Sequence, residues 1–319
     1  MPRVPNRVIN PKGRWLQIVE FVAVYSLYLV VQVLPMVLLR PLVAAVGDLA
    51  YVLLAARRRI AIENIRIALG VDQGAARRIA RLSFRAFLLT SVPEVVKMRR
   101  HLTADDAREW LRRRDPEAEA LFSKAKVLHE ETGGCIFVTP HFGNWELLPY
   151  LAATVGIPLA ITIWPLDNVY LERLLERHRN ATGHEFINRR NAFTHLERVL
   201  ENRRSVALLP DQHVIKGLPV EFFGRLAATS PIPALLAVYH QRPIVVVACF
   251  RTDSLRFGGY VGDPIWPQPA ASEKAEIERL TRAVNRAMEG VIRQHPEQYV
   301  WMHRRWKYFP QFPLRRQSQ

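Results

Sequence analysis

Residues 135–146 read CIFVTPHFGNWE. Ile136, Phe137 and Val138 are β-branched or aromatic, Gly133 and Gly134 precede them and Pro140 follows, so a short buried strand is expected here. Asn144 can cap a helix running from Trp145 to about Thr154, which puts His141 on the strand-to-helix turn and Glu146 in the first helical turn. Chemistry in α/β proteins gathers at such carboxyl ends of strands. A neutral imidazole accepts a hydroxyl proton near pH 7, and a carboxylate on its other nitrogen fixes the tautomer and stabilises the imidazolium. Five positions along a regular helix separate two side chains by about 140°. His141 and Glu146 therefore meet only if His141 precedes the helix, and Gly143 permits that bend.

The spacing is not rare by itself. With 10 His and 29 Asp plus Glu in 319 residues, about one His-x-x-x-x-acid arises by chance. His101 and Asp106 form such a decoy in a charged segment without a preceding strand, where Thr103 and Asp106 read as a capping box. A histidine merely hydrogen-bonded beneath a loop is the plain alternative for His141. Its strand-turn-helix setting argues for chemistry.

Outward from this stretch, strand and helix signals alternate: a strand over 157–163, a helix over 168–181, a short strand at Phe186, a helix over 191–202 and a strand over 205–209. That order predicts an α/β fold with a mixed, largely parallel sheet and flanking helices. Asp211 then lies just past a strand's carboxyl end, near His141, although Pro210 also makes it an ordinary turn residue. Arg189 and Arg190 fall on the same loop edge. Ser230 before Pro231 opens a helix to about His240, a β-branched strand follows over 244–250 and another over 255–261, and 272–294 is a long amphipathic helix. The tail over 299–309 interleaves Trp301, Trp306, Tyr308 and Phe309 with Arg304, Arg305 and Lys307, which suits a membrane interface or packing under the sheet.

Upstream, residues 1–14 are basic, and 16–39 form an apolar stretch long enough to cross a bilayer, without a nearby small-residue cleavage site. A shorter apolar run covers 42–56 and is followed by Arg57, Arg58 and Arg59. Basic residues on both flanks fit a hairpin or in-plane anchor with both ends cytoplasmic, or else a buried helix pair. The expected division is 1–59, a basic N-terminus with membrane-anchoring apolar segments, and 60–319, the catalytic domain. Residues 60–97 read as helical with a basic face. The net charge of +16 calls for an anionic partner, and 49% hydrophobic residues suffice for a large core. Cys135 and Cys249 show neither metal-ligand spacing nor a disulfide framework.

The blocks PHFGNWE at 140–146, LLPDQ at 208–212, FFGRLAATS at 222–230 and PEQYVWMHRRWK at 296–307 resemble, in order, those of the bacterial lipid A biosynthesis acyltransferases, within the wider glycerolipid acyltransferase superfamily. Many members carry an acid after the PDQ or PDH step, where this chain has His213. The resemblance implies acyl transfer from an acyl carrier protein thioester, or from acyl-coenzyme A, to a hydroxyl of a lipid A precursor or related glycolipid at the cytoplasmic face of a bacterial inner membrane. It makes His141 and Glu146 the catalytic pair and either Arg189 or Arg190 the residue that helps hold a phosphate of the donor or acceptor; Asn144 and Asp211 are the other substrate-binding candidates. No cofactor or metal is implied. Backbone N–H groups near Asn144 and Trp145, or Arg189, are candidates for the oxyanion.

No G-x-S-x-G, G-x-x-x-x-G-K-[ST], H-E-x-x-H or G-x-G-x-x-G is present, so four common enzyme classes lack motif support. Anionic membrane lipids are expected partners and nucleic acid is not. Two alternatives remain open: acyl-coenzyme A-dependent acylation of a mannosylated phosphatidylinositol, and a non-enzymatic basic protein that binds anionic membranes or nucleic acid.

Overall fold

A computed structural model describes residues 13–90, 96, 116–180, 182–189, 192–252 and 257–307. The His101/Asp106 decoy, Arg190, Tyr308 and Phe309 lie outside them. The strands are β1 (Ile136–Val138), β2 (Leu159–Ile163), β3 (Glu185–Asn188), β4 (Ser205–Leu208), β5 (Leu218–Phe222), β6 (Arg225–Thr229), β7 (Ile244–Arg251) and β8 (Phe257–Val261). Six of them form one sheet in the order β3-β2-β4-β1-β7-β8. All neighbours pair in parallel except β8, which runs antiparallel to β7 at the edge. The expected mixed, largely parallel sheet is present. β5 and β6 form a separate antiparallel hairpin that the residue pattern did not announce.

β1 lies between β4 and β7, which explains an uninterrupted apolar triplet: Ile136, Phe137 and Val138 are all buried. Alternation along β7 divides its side chains between the two faces. Ile244, Val246 and Ala248 join the larger core, and Val245, Val247 and Cys249 the smaller.

The helices are α1 (Arg14–Val33), α2 (Met36–Leu53), α3 (Ala55–Leu69), α4 (Gln73–Leu89), α5 (Pro116–Thr132), α6 (Leu148–Thr154), α7 (Val169–Asn180), α8 (Phe193–Glu201), α9 (Ile232–His240) and α10 (Glu273–Gln294). Leu196 and Leu200 of α8, Leu236 of α9, and Leu280 and Met288 of α10 cover the larger face. Phe122 of α5 and Leu148 and Leu151 of α6 cover the smaller one. Ser272 caps α10 by accepting the Ala275 N–H at 3.2 Å.

Two expectations need correction. The helical pattern over 60–97 is broken after α3, where Gly70 takes φ 66°, and α4 restarts with Asp72 accepting the Ala75 N–H. The apolar stretch over 16–39 is likewise two helices parted at Pro35, so the second apolar helix begins at Met36 rather than at 42. Both α1 and α2 are long and apolar enough to cross a membrane, and little of either is buried. One face of α2 is committed to protein: Asp48 accepts from the guanidinium groups of Arg81 and Arg85 on α4. Val37, Leu38, Leu49 and Val52 remain exposed.

The tail packs under the sheet. Tyr299, Trp301 and Trp306 are buried in the larger core, so they are unavailable to a membrane interface. Arg305 stacks over Phe222, and Arg225 over Trp306.

Candidate active site

β1 and β4 are parallel neighbours with Val138 opposite Leu208. Each then leaves the sheet through a proline, and His141 and Asp211 each follow three residues past that matched pair. Their side chains therefore meet. The His141 Nδ1 lies 2.7 Å from Asp211 Oδ1, and the His141 backbone N–H donates to Asp211 Oδ2 at 2.8 Å. One carboxylate thus fixes both the loop and the ring.

The turn after His141 is held from two directions. The Gly143 N–H donates to the Gln298 carbonyl and the Val300 N–H to the His141 carbonyl, each at 3.0 Å, so residues 298–300 zip against the loop. The Asn144 N–H donates to the Cys249 carbonyl at 2.7 Å. Gly143 has φ 57°, and a Cβ there would overlap the Cys249 carbonyl, so this turn requires glycine.

The helix expected from Trp145 begins as a 3₁₀ turn, Trp145–Leu147, and continues as α6. Asn144 makes no side-chain cap bond and is only 1% exposed. The wall of the cavity beside it is made by Trp145 and Glu146 instead. With its N–H bound to Cys249, the Asn144 amide is already committed and does not serve an oxyanion. Trp145 stands edge-on to the imidazole, with ring centroids 5.4 Å apart.

Asp211 is 1% exposed, and burial pushes its carboxyl pKa up. The facing His141 ring, the two bonds from His141 and the nearby Arg305 charge outweigh this and hold it below the usual value. For His141 burial works downward, while Asp211 first and Glu146 second work upward, with Arg189 opposing them. The net result is a raised pKa. Glu146 is exposed and acts on the ring through its field, whereas the hydrogen bond belongs to Asp211. The Gln212 side-chain amide stands 3.2 Å from His141 Nε2. A donor there, with the carboxylate at Nδ1, favours the tautomer whose Nε2 carries the lone pair.

His141 opens onto a cavity of about 690 Å³. Its polar rim includes Glu146, Gln212 and Arg189, and it runs inward among Phe122, Ala125, Ala152 and Val247, between α5, α6 and the smaller face of the sheet. Trp164 and Leu166 line it from the β2–α7 loop and are 58% and 42% exposed. That loop is tied to α1: Asn168 donates to the Gln17 carbonyl at 2.8 Å while its own Oδ1 accepts the Tyr170 N–H that opens α7. The volume is in the range of small-ligand sites, and an apolar interior with a few polar groups at the mouth suits a long hydrocarbon bearing one reactive polar end.

Of the expected site residues, His141, Glu146, Arg189 and Asp211 converge on this region, while Asn144 sits beneath it. Gln212 and Arg305 were not among the expected site residues, although each lies in a quoted block, LLPDQ or PEQYVWMHRRWK. The described residues contain no cluster of three or more His, Cys, Asp or Glu able to hold a metal ion.

Residues 9–308 match the family described as bacterial lipid A biosynthesis acyltransferase. A protein of Haemophilus influenzae named "Lipid A biosynthesis acyltransferase" is 25% identical over 169 residues, a match covering 52% of this chain and 52% of that protein. The chain thus spans about half the length of that relative, but the family match extends from before α1 past residues 298–300, which zip onto the His141 loop. This chain belongs to the bacterial lipid A biosynthesis acyltransferase family.

Proposed function

We propose that the protein transfers a fatty acyl chain from a thioester, carried by acyl carrier protein or coenzyme A, to a hydroxyl of a lipid A precursor. The observation that carries this reading is an imidazole held at Nδ1 by a buried carboxylate at the mouth of a deep apolar cavity. The cavity receives the acyl chain and brings its thioester carbonyl to the rim. His141 Nε2 takes the proton of the acceptor hydroxyl as its oxygen attacks that carbonyl. Asp211 orients the ring and stabilises the imidazolium, and Glu146 adds its field from the solvent side. The tetrahedral intermediate collapses by breaking the carbon–sulfur bond, and the imidazolium returns its proton to the departing thiolate. Arg189, at the rim, is the cation placed to meet the oxyanion or a phosphate of either substrate.

The net charge of +16 favours an acidic donor such as acyl carrier protein. The apolar, largely exposed surfaces of α1 and α2 support attachment to a bacterial inner membrane with the catalytic domain on the cytoplasmic face. We divide the chain functionally at residue 59, between this anchor and the acyltransferase domain.

The test offers the detergent-solubilised protein a labelled acyl-carrier-protein thioester and a tetra-acylated lipid A precursor, beside His141→Ala. Transfer by the parent, reduced by about 10²- to 10⁴-fold in the variant, is expected. No transfer with either carrier-protein or coenzyme A thioesters would overturn the proposal.

A further inference from the structure

We propose that Gln212 is a specificity-determining residue that caps the base nitrogen of His141 and so holds the enzyme to acyl transfer against hydrolysis of its thioester. The inference rests on the assignment of His141 as base in acyl transfer and concerns how that base is kept from water. Consecutive residues of the turn after β4 grip the two ends of the imidazole. Asp211 Oδ1 stands 2.7 Å from Nδ1, and the Gln212 side-chain nitrogen stands 3.2 Å from Nε2. The ionised Asp211 only accepts, so the neutral ring carries its proton on Nδ1 and its lone pair on Nε2. The group that faces this lone pair has to donate, and the Gln212 amide N–H does so. The nitrogen that takes the proton of the acceptor hydroxyl is thus already bonded within the protein itself.

The surroundings give the cap its purpose. Gln212 is half-buried and lines the cavity mouth, where Trp145 stands edge-on to the ring and 21% of the His141 side chain is exposed. Glu146, Trp164, Leu166 and Arg189 line the same cavity and are exposed, so water reaches the place where the thioester carbonyl arrives. An uncapped Nε2 would take a proton from that water as its oxygen attacks the carbonyl. The carbon–sulfur bond would break, the proton would pass to the thiolate, and a free fatty acid and a thiol would leave. A water molecule brings only its own hydrogen bonds to displace the amide. The acceptor brings its hydroxyl on a molecule held by other contacts, such as a phosphate at Arg189, so binding energy from remote groups offsets release of the cap.

Bulk and hydrogen bonding are separable at this position. A side chain that merely fills the rim would shield Nε2 equally well as methionine, which matches glutamine in length and lacks the N–H. Gln212→Met therefore removes the cap and keeps the volume, whereas Gln212→Ala removes both.

The experiment compares the full chain with these two variants in detergent, normalised to folded protein, at a pH on the upper plateau of His141 carbethoxylation. Three rates are measured: thioester hydrolysis without acceptor, acyl transfer with acceptor, and reaction of His141 with diethyl pyrocarbonate, followed by peptide mass spectrometry. That reagent carbethoxylates a free imidazole nitrogen and releases ethanol and carbon dioxide. In both variants the ratio of hydrolysis to transfer and the rate of carbethoxylation should each rise about 2- to 12-fold, the factor that corresponds to releasing one ordinary hydrogen bond. Carbethoxylation requires no substrate. If the parent transfers nothing, the activity assignment fails and this rate alone decides whether the cap exists. A Gln212→Met protein whose His141 reacts no faster than the parent's, or whose ratio is unmoved while transfer persists, sinks the proposal. So does a rise confined to Gln212→Ala, which is the signature of bulk.

Discussion

Replacing Asp211 by Asn and, separately, Glu146 by Gln distinguishes two carboxylates that both influence one ring. Asp211 is 1% exposed and 2.7 Å from Nδ1, a distance at which hydrogen bonds to charged groups contribute about 1.5–3 kcal/mol. That energy alone corresponds to roughly 10- to 150-fold in rate if it is expressed when the imidazolium forms. Asn adds a second loss. When its amide N–H faces Nδ1, the ring proton is driven to Nε2, where the lone pair is needed, so the expected fall in kcat is about 10²- to 10⁴-fold. Glu146 is exposed and touches the ring only through its field, an interaction that solvent screens. Glu146→Gln should cost about two- to fivefold. The assay is steady-state acyl transfer with a thioester donor, normalised to folded protein by near-ultraviolet circular dichroism. An Asp211→Asn enzyme within threefold of the parent, beside a Glu146→Gln enzyme reduced a hundredfold, would falsify the argument and return the partner role to Glu146.

In the parent, His141 is raised above 6.5, so kcat/KM should climb with pH through a midpoint above that value. In Asp211→Asn the midpoint should fall, because the anion that favours the protonated ring is gone; a pH–rate profile of each measures both. Ala125→Leu fills the inner cavity beside Phe122 and should shift preference toward shorter acyl chains by about fourfold per excluded methylene, read by competition among thioesters of graded length. Gly143→Ala meets the Cys249 carbonyl at a positive φ and should destabilise the protein by several kcal/mol, visible as a lowered Tm in detergent. Raising the salt concentration should depress kcat/KM with an acyl carrier protein donor more than with acyl-coenzyme A, if the +16 charge serves to attract an acidic protein surface.

What could be read from the sequence follows from how each feature is encoded. The parallel strands are short apolar runs between turn residues, and α10 carries a full amphipathic period with a serine cap, so both declared themselves. The helix break at Gly70 did not, because the apolar period continues across α3 and α4 and both pack on the same core. The pairing of residues 298–300 with the His141 turn was equally silent: an isolated bridge has no periodicity. The tail left two readings open for a physical reason. Aromatics interleaved with arginines describe a membrane interface, but they also describe buried cation–π stacks, and here Arg305 over Phe222 and Arg225 over Trp306 are of the second kind.

The acid that bonds to His141 shows why a linear motif is an incomplete guide. Glu146 is five residues from His141 and Asp211 is seventy away, yet the nearer acid in sequence is exposed and the farther one shares two hydrogen bonds with the base residue. Register makes the difference. β1 and β4 are adjacent and parallel, Val138 matches Leu208, and both chains pass a proline before delivering a functional residue at the third step. A slip of one residue between those strands would turn each side chain of β4 to the opposite face and carry Asp211 away from the ring. Slippage is opposed because Val206 and Leu208 belong to the larger core and Ala207 packs against the smaller, so the apolar pattern of β4 fixes the register. The pairing of base and carboxylate is therefore secured by core packing several residues upstream of either, and the Pro-Asp step after β4 carries as much of the site as the histidine motif after β1.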